Sequence, residues 1–267
     1  MKVAAVQFRS SGDISENLLS CKRLIEEAAT AGARLIVLPE AASQSFDSGR
    51  LDTQAEQLDG HFASQLQELA LSFGVTVVAG MFRPADSIGK INRVFNTALV
   101  TGPGVHVGYD KIHTYDAFEY KESATVKPGE ELVTFEVDGA TVGVATCYDV
   151  RFPTQFQELA RRGAQIIALP FSWEDGPDKL EQWRLLSTAR ALDSTSFIVA
   201  AGQARPEGPT SGPTGVGHSV VVSPTGKRLA EAGYEPGIIY ADIDVDEVAK
   251  VRRVLPVIAT GGGAPTQ

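Results

Sequence analysis

Crossover connections and tight turns alternate along this chain, and few architectures accept both. Residues 3–8 read as a strand. Asp13, with Glu16 three positions on, makes a capping-box-like helix start. Ile14, Leu18, Cys21, Leu24, Ile25 and Ala28 then recur at helical spacing, Gly32 stops the helix, and residues 34–38 form a second buried strand. A helix over 58–73 leads in the same way to a strand at 75–79, and later helices over 154–162 and 179–193 each lead to another strand. Such units pair strands in parallel. Thr101-Gly102-Pro103-Gly104, Asp138-Gly139 and Pro224-Thr225-Gly226, by contrast, separate strand-like runs by tight turns, which make antiparallel hairpins. A (β/α)8 barrel wants strict alternation. A mixed α/β sandwich of two sheets packed face to face, with helices outside, fits better, and the barrel is the second architecture.

Nothing in the interior reads as a linker, so residues 1–255 are taken as one domain and residues 256–267 as a mobile tail with nothing to pack. The formal net charge of -9 argues against nucleic acid as a partner. No apolar run approaches the roughly 20 residues needed to span a bilayer, and Met1–Phe8 reads as a core strand, not a signal peptide. The two cysteines, Cys21 and Cys147, are expected to be reduced in a cytoplasmic protein. The four histidines form no ligand pair and there is no Cys-x-x-Cys, so no metal is expected. Without a Walker-type loop or a Gly-x-Gly-x-x-Gly, no nucleotide cofactor is expected either.

Three reactive residue types each follow an apolar strand. Glu40 follows Leu35-Ile36-Val37-Leu38-Pro39, Lys111 follows the strand at 105–109, and Cys147 ends Gly143-Val144-Ala145-Thr146. Residues at the carboxyl ends of buried strands stand where α/β proteins build their sites. Each alone has a plainer explanation: a solvated glutamate, a surface lysine, a buried cysteine. Their coincidence does not.

Leu38-Pro39-Glu40, Lys111-Ile112-His113 and Cys147-Tyr148-Asp149-Val150-Arg151-Phe152-Pro153 together resemble the signatures of the nitrilase superfamily of carbon–nitrogen hydrolases. Glu122-Ser123, Pro128-Gly129, Ala189-Arg190-Ala191-Leu192 and Gly217-His218-Ser219 add to the likeness. The resemblance implies a four-layer α-β-β-α sandwich, a homodimer or higher homo-oligomer, and hydrolysis of a small amide without a cofactor. Cys147 would attack the amide carbon to form a thioester, with Glu40 as general base. Lys111 and the backbone N–H of Tyr148 would stabilise the oxyanion. A second glutamate is implied beside the lysine; Glu119 and Glu122 both qualify, and the Glu-Ser pairing favours Glu122.

Arg151, Trp173 and Glu174 are further candidates for the pocket, as are Arg184 and Arg190, although Arg190 near Asp193 equally suits an ion pair. The Cys-Tyr-Asp-x-Arg-Phe-Pro text resembles the Nit-like amidase branch, which acts on ω-amides of dicarboxylic acids or on deaminated glutathione. Thr154, Gln182-Trp183 and Pro170-Phe171-Ser172-Trp173-Glu174 depart from that branch and imply an altered pocket wall. An N-carbamoyl amidohydrolase is the second functional reading, and a non-catalytic binding or scaffold protein of the same fold is the third.

Overall fold

A computed structural model describes residues 1–117, 120–208 and 212–258. β1 (Lys2–Gln7) leads through α1 (Ile14–Thr30) to β2 (Leu35–Val37), and α2 (His61–Phe73) leads to β3 (Thr76–Ile88). β3, β4 (Ile91–Gly102) and β5 (Val105–Asp110) then follow as hairpins. A small hairpin, β6 (Asp116–Ala117) and β7 (Tyr120–Lys121), precedes β8 (Thr134–Val137) and β9 (Ala140–Val144). From β9 the plan repeats with α3 (Pro153–Arg161), β10 (Ile166–Phe171), α4 (Lys179–Ser194), β11 (Phe197–Gly202), β12 (Val220–Val222) and β13 (Arg228–Glu231). β14 (Gly237–Asp242) and α5 (Asp246–Val254) complete the order.

Two six-stranded sheets result, ordered β14-β1-β2-β3-β4-β5 and β13-β12-β11-β10-β9-β8. In the first, β1–β2–β3 pair in parallel; in the second, β9–β10–β11 do. Antiparallel partners flank both centres. The shared plan has no matching sequence repeat, because it needs only the same succession of apolar strands and amphipathic helices. Two separate sheets rule out the barrel.

Three apolar layers hold the sandwich. Val3, Leu35, Val37, Val78 and Val100 of the first sheet meet Val142, Val144, Ile166, Phe197 and Val199 of the second. The outer face of the first sheet packs on Leu18, Ile25, Phe62 and Leu66 of α1 and α2. That of the second packs on Phe156, Leu159 and Trp183 of α3 and α4. Strands buried on both faces explain why the central runs read as continuous apolar stretches.

Local signals mostly act as expected. Asp13 caps α1, accepting from the N–H of Ser15 at 2.7 Å and of Glu16 at 3.2 Å. The box is only half formed, however, since the Glu16 carboxylate accepts from Ser11 Oγ at 2.9 Å. Gly74 ends α2 in the left-handed region at φ 63°, and Pro153 opens α3. The sequence pattern stops β3 at residue 79, whereas the strand continues to Ile88 with an irregular register between Pro84 and Ser87. This outer arm projects from the core, so it carries no apolar run to mark it. Of the expected tail, residues 256–267, those from 259 on lie outside the described residues. Among those described, no helix is long and apolar enough to cross a membrane.

One glycine couples β3 to the segment behind β2. A Cβ on Gly80 would lie 2.4 Å from Ala41 N and 2.6 Å from Glu40 Cα, both rigid backbone. Gly80→Ala is therefore expected to cost about 1–3 kcal/mol, read as a lowered urea midpoint at unchanged m. An unchanged midpoint would mean that the Glu40 segment yields freely.

Candidate active site

Four strand ends converge at one edge of the sandwich. Leu38 and Pro39 carry the chain beyond β2 to Glu40. Lys111 is the first residue past β5, Cys147 lies three past β9, and Ser172 follows β10. Parallel neighbours β9 and β10 present their carboxyl ends side by side, while the stacked sheets bring β2 and β5 to the same edge. This crevice at the strand ends is where α/β sheets leave room for a ligand.

Glu40, Lys111 and Glu122 form a buried ionic cluster, each no more than 2% exposed. Lys111 Nζ stands 3.1 Å from Glu40 Oε1, and 3.1 and 2.9 Å from the two oxygens of Glu122. Asn96 on β4 bridges the carboxylates, its Nδ2 donating to Glu40 Oε1 at 2.7 Å and to Glu122 Oε1 at 3.2 Å. The Ser172 N–H donates to Glu40 Oε2 at 2.8 Å, and the Tyr115 N–H donates to Glu122 Oε2 at 2.5 Å. Buried charges of this kind persist only when paired and hydrogen-bonded, and every carboxylate oxygen here has a partner.

Cys147 begins a short 3-10 turn, Cys147–Arg151, in the left-handed region at φ 47°. A non-glycine residue there is strained, and such strain concentrates at sharp strand-to-helix turns that hold out a nucleophile. The residue is 7% exposed, and its Sγ donates to Ser172 O at 3.3 Å.

Asp149 locks the turn in place. Its carboxylate accepts from the Thr146 N–H at 2.8 Å, the Tyr109 hydroxyl at 2.6 Å and the His113 N–H at 3.1 Å, and meets His113 Nδ1 at 2.8 Å. One fully buried carboxylate thus ties the cysteine turn of the second sheet to the lysine segment of the first. His113 also stacks on Phe152, with ring centroids 3.6 Å apart. From the outside, Arg190 Nη1 donates to Val150 O at 2.8 Å while Nη2 pairs with Asp193 at 2.6 Å. Arg190 is accordingly a brace for the turn.

Charge and burial set the protonation states. Burial first, and then the Glu40 charge, push the Cys147 thiol well above its ordinary value, with Lys111 opposing only in part. Burial also lifts Glu40 above the usual carboxylate range; Lys111 pulls it down and Glu122 pushes it up. Burial alone would lower Lys111, but the facing Glu122 and Glu40 outweigh it and hold the ammonium charged. The resting proton therefore sits on sulfur, next to a carboxylate more basic than an exposed one.

Glu40, Lys111, Glu122 and Cys147 line one cavity, together with Tyr148, Trp173, Glu174 and Lys179. Arg151 stands behind its wall, its guanidinium 4.9 Å from the Trp173 ring centre and bonded to Gln182 at 2.8 Å. Arg184 is elsewhere, pairing with Glu231 at 2.8 Å. Glu119 lies outside the described residues. Cys21 is buried under α1 in a different apolar layer, and both cysteines are free thiols. Sequence reasoning missed Asn96, Tyr109 and Tyr115. A lone amide in the apolar run 94–100 was the available signal for Asn96, since a buried amide must have partners.

Asp149→Asn would set an amide N–H₂ against N–H donors that now point at carboxylate oxygens. The expected cost is about 1–3 kcal/mol, checked by thermal or denaturant melts; a neutral outcome would show that the turn is held by other contacts.

A sequence profile described as carbon-nitrogen hydrolase matches residues 2–253. A Mycobacterium tuberculosis protein named as a hydrolase is 47% identical over 97% of this chain and 94% of its own length. The omega-amidase NIT2 of Danio rerio is 35% identical over 96% of this chain and 92% of its own. The crystal structure of Saccharomyces cerevisiae Nit3, described as a member of branch 10 of the nitrilase superfamily, superposes with a TM-score of 0.84 at 29% identity. It covers 96% of this chain and 94% of that one.

Proposed function

The chain belongs to the carbon–nitrogen hydrolase family and is an amidase, and on that premise we propose how its buried cluster divides the work. The observation that carries the proposal is Lys111 clamped between Glu40 and Glu122 in the cavity that Cys147 lines. Cys147 is the nucleophile. As its sulfur bonds to the amide carbon, Glu40 takes the thiol proton and the carbonyl oxygen becomes an oxyanion. The C–N bond then breaks, Glu40 returns the proton to the leaving nitrogen, and ammonia departs from a thioester. Water attacks that thioester, Glu40 accepts its proton, and the acid is released as the thiol re-forms.

Lys111 and the backbone N–H of Tyr148 face the oxyanion. An ammonium has three donors, and in the resting site Lys111 is within bonding distance of three carboxylate oxygens. Protonation of Glu40 weakens one of those bonds as the oxyanion appears, so a donor turns to the new charge when it is needed. Glu122, bonded to Lys111 through both oxygens, keeps the lysine in place. Losing one such oxyanion donor typically costs about 10²–10³ in turnover.

The substrate is a small linear ω-amide of a dicarboxylic acid, a reading supported by the likeness to a named omega-amidase. Two free thiols support a cytoplasmic location. The expected homodimer would form on α4 and β13, where Leu185, 71% exposed, Leu192 and Leu229 stand in water. A single dimer-sized species is expected in sedimentation velocity.

Two measurements test the chemistry. Cys147→Ala should reduce ammonia release from succinamic and glutaramic acids to background with an unchanged melting temperature; substantial release by the pure variant would falsify the nucleophile. Glu40 works only as the carboxylate, and burial raises its pKa, so it loses its base form at higher pH than an exposed glutamate does. The acid limb of kcat/KM should therefore have its midpoint above about 4.3, the ordinary glutamate value. A midpoint at or below that value would remove Glu40 from the role.

A further inference from the structure

Two charged residues of the cavity have no part in this scheme. Glu174 and Lys179 both line it, and their carboxylate and ammonium stand 3.0 Å apart. The backbone fixes the position of both. Glu174 pairs with Gly215 in an antiparallel bridge, flanked by Asp175 N–H to Thr214 O and Val216 N–H to Trp173 O, both 3.0 Å. Lys179 opens α4, and its side chain is only 17% exposed against 50% for Glu174. Glu174 closes the Pro170-Phe171-Ser172-Trp173-Glu174 text that departs from the Nit-like branch, with Lys179 five residues on, and a wall that differs is where specificity can change.

The charges on this wall select among amides. Among the described residues, Glu40, Glu122 and Glu174 line the cavity opposite Lys111 and Lys179, and the Arg151 guanidinium behind the wall balances the sum. Such a wall suits a ligand with no net charge, a zwitterion. A carboxylate has about four lone-pair sites, so the ion pair does not exhaust Glu174. The Trp173 indole N–H on the same wall is buried with no hydrogen-bond partner among the described residues. Burial, and after it the Glu174 charge, raise the Tyr115 phenol and keep its hydroxyl a proton donor toward this end of the cavity.

We propose that Glu174 and Lys179 form a subsite for a zwitterion, so that the preferred substrate is an α-amino acid ω-amide. Its ammonium meets Glu174, its α-carboxylate meets Lys179, and its side-chain amide extends to Cys147. This rests on the amidase reading and names the substrate class within it. The pairing is complementary in sign at both positions, which is how charged walls discriminate between ligands of similar size.

The test uses matched pairs that differ only in the amino group: glutamine with glutaramic acid, and asparagine with succinamic acid. The wild type should show at least about tenfold higher kcat/KM for the amino acid of the better pair. Glu174→Gln should erase that preference by lowering the amino-acid rate alone, whereas Lys179→Met should lower both members. Equal rates or a preference for the deaminated members in the wild type would overturn the subsite. So would a Glu174→Gln loss common to both members, which is what a merely structural ion pair would give. Calorimetric binding to Cys147→Ala reads the same preference without chemistry. Zwitterion binding there, with no ammonia from the wild type on any amide, would keep the subsite and overturn the amidase assignment; no preference in binding would overturn the subsite itself.

Discussion

A buried ammonium cannot stand alone, and the architecture of this protein meets that constraint at Lys111. Removing such a charge from water costs several kcal/mol even after relaxation, so carboxylates must surround it. They come from segments far apart in the chain. Glu40 arrives from β2, Glu122 from the turn after β7, and Asn96 from β4 joins them. The close passage of Gly80 against Glu40 and the Ser172 N–H from the second sheet complete the cage.

Asp149 transmits this order across the sandwich. The ionic cluster belongs mainly to the first sheet, while the cysteine turn belongs to the second. A buried carboxylate that binds the Thr146 N–H, the Tyr109 hydroxyl and both nitrogen donors of His113 fixes one against the other. Amide chemistry needs the nucleophile and its base within hydrogen-bond reach, and misplacement by about an ångström can cost two orders of magnitude in rate. The strained cysteine is thus held by contacts that reach well beyond its own turn.

The charged wall is of another kind. Glu174 and Lys179 lie on the rim, where changes leave the cage intact. A family can therefore keep its reaction and vary its substrate.

The sequence by itself determined the layers and the reactive trio. Apolar strands, helices with caps at Asp13 and Gly74, and glycine-bearing turns specify parallel centres and antiparallel flanks, because each signal is local. Glu40, Lys111 and Cys147 were legible for the same reason, each following an apolar strand within a compact motif. Only the tertiary structure decided the rest. Asn96 and Tyr109 carry no local mark of what they bind, since their partners are 26 to 56 residues away for Asn96 and 40 residues away for Asp149 from Tyr109. The outer arm of β3 is a strand because β4 pairs with it, not because its residues ask to be buried. That Arg190 braces a turn while Glu174 meets Lys179 at the cavity rim depends on which way each side chain points once the sheets have stacked. Sequence spacing states what could be neighbours; packing selects which are.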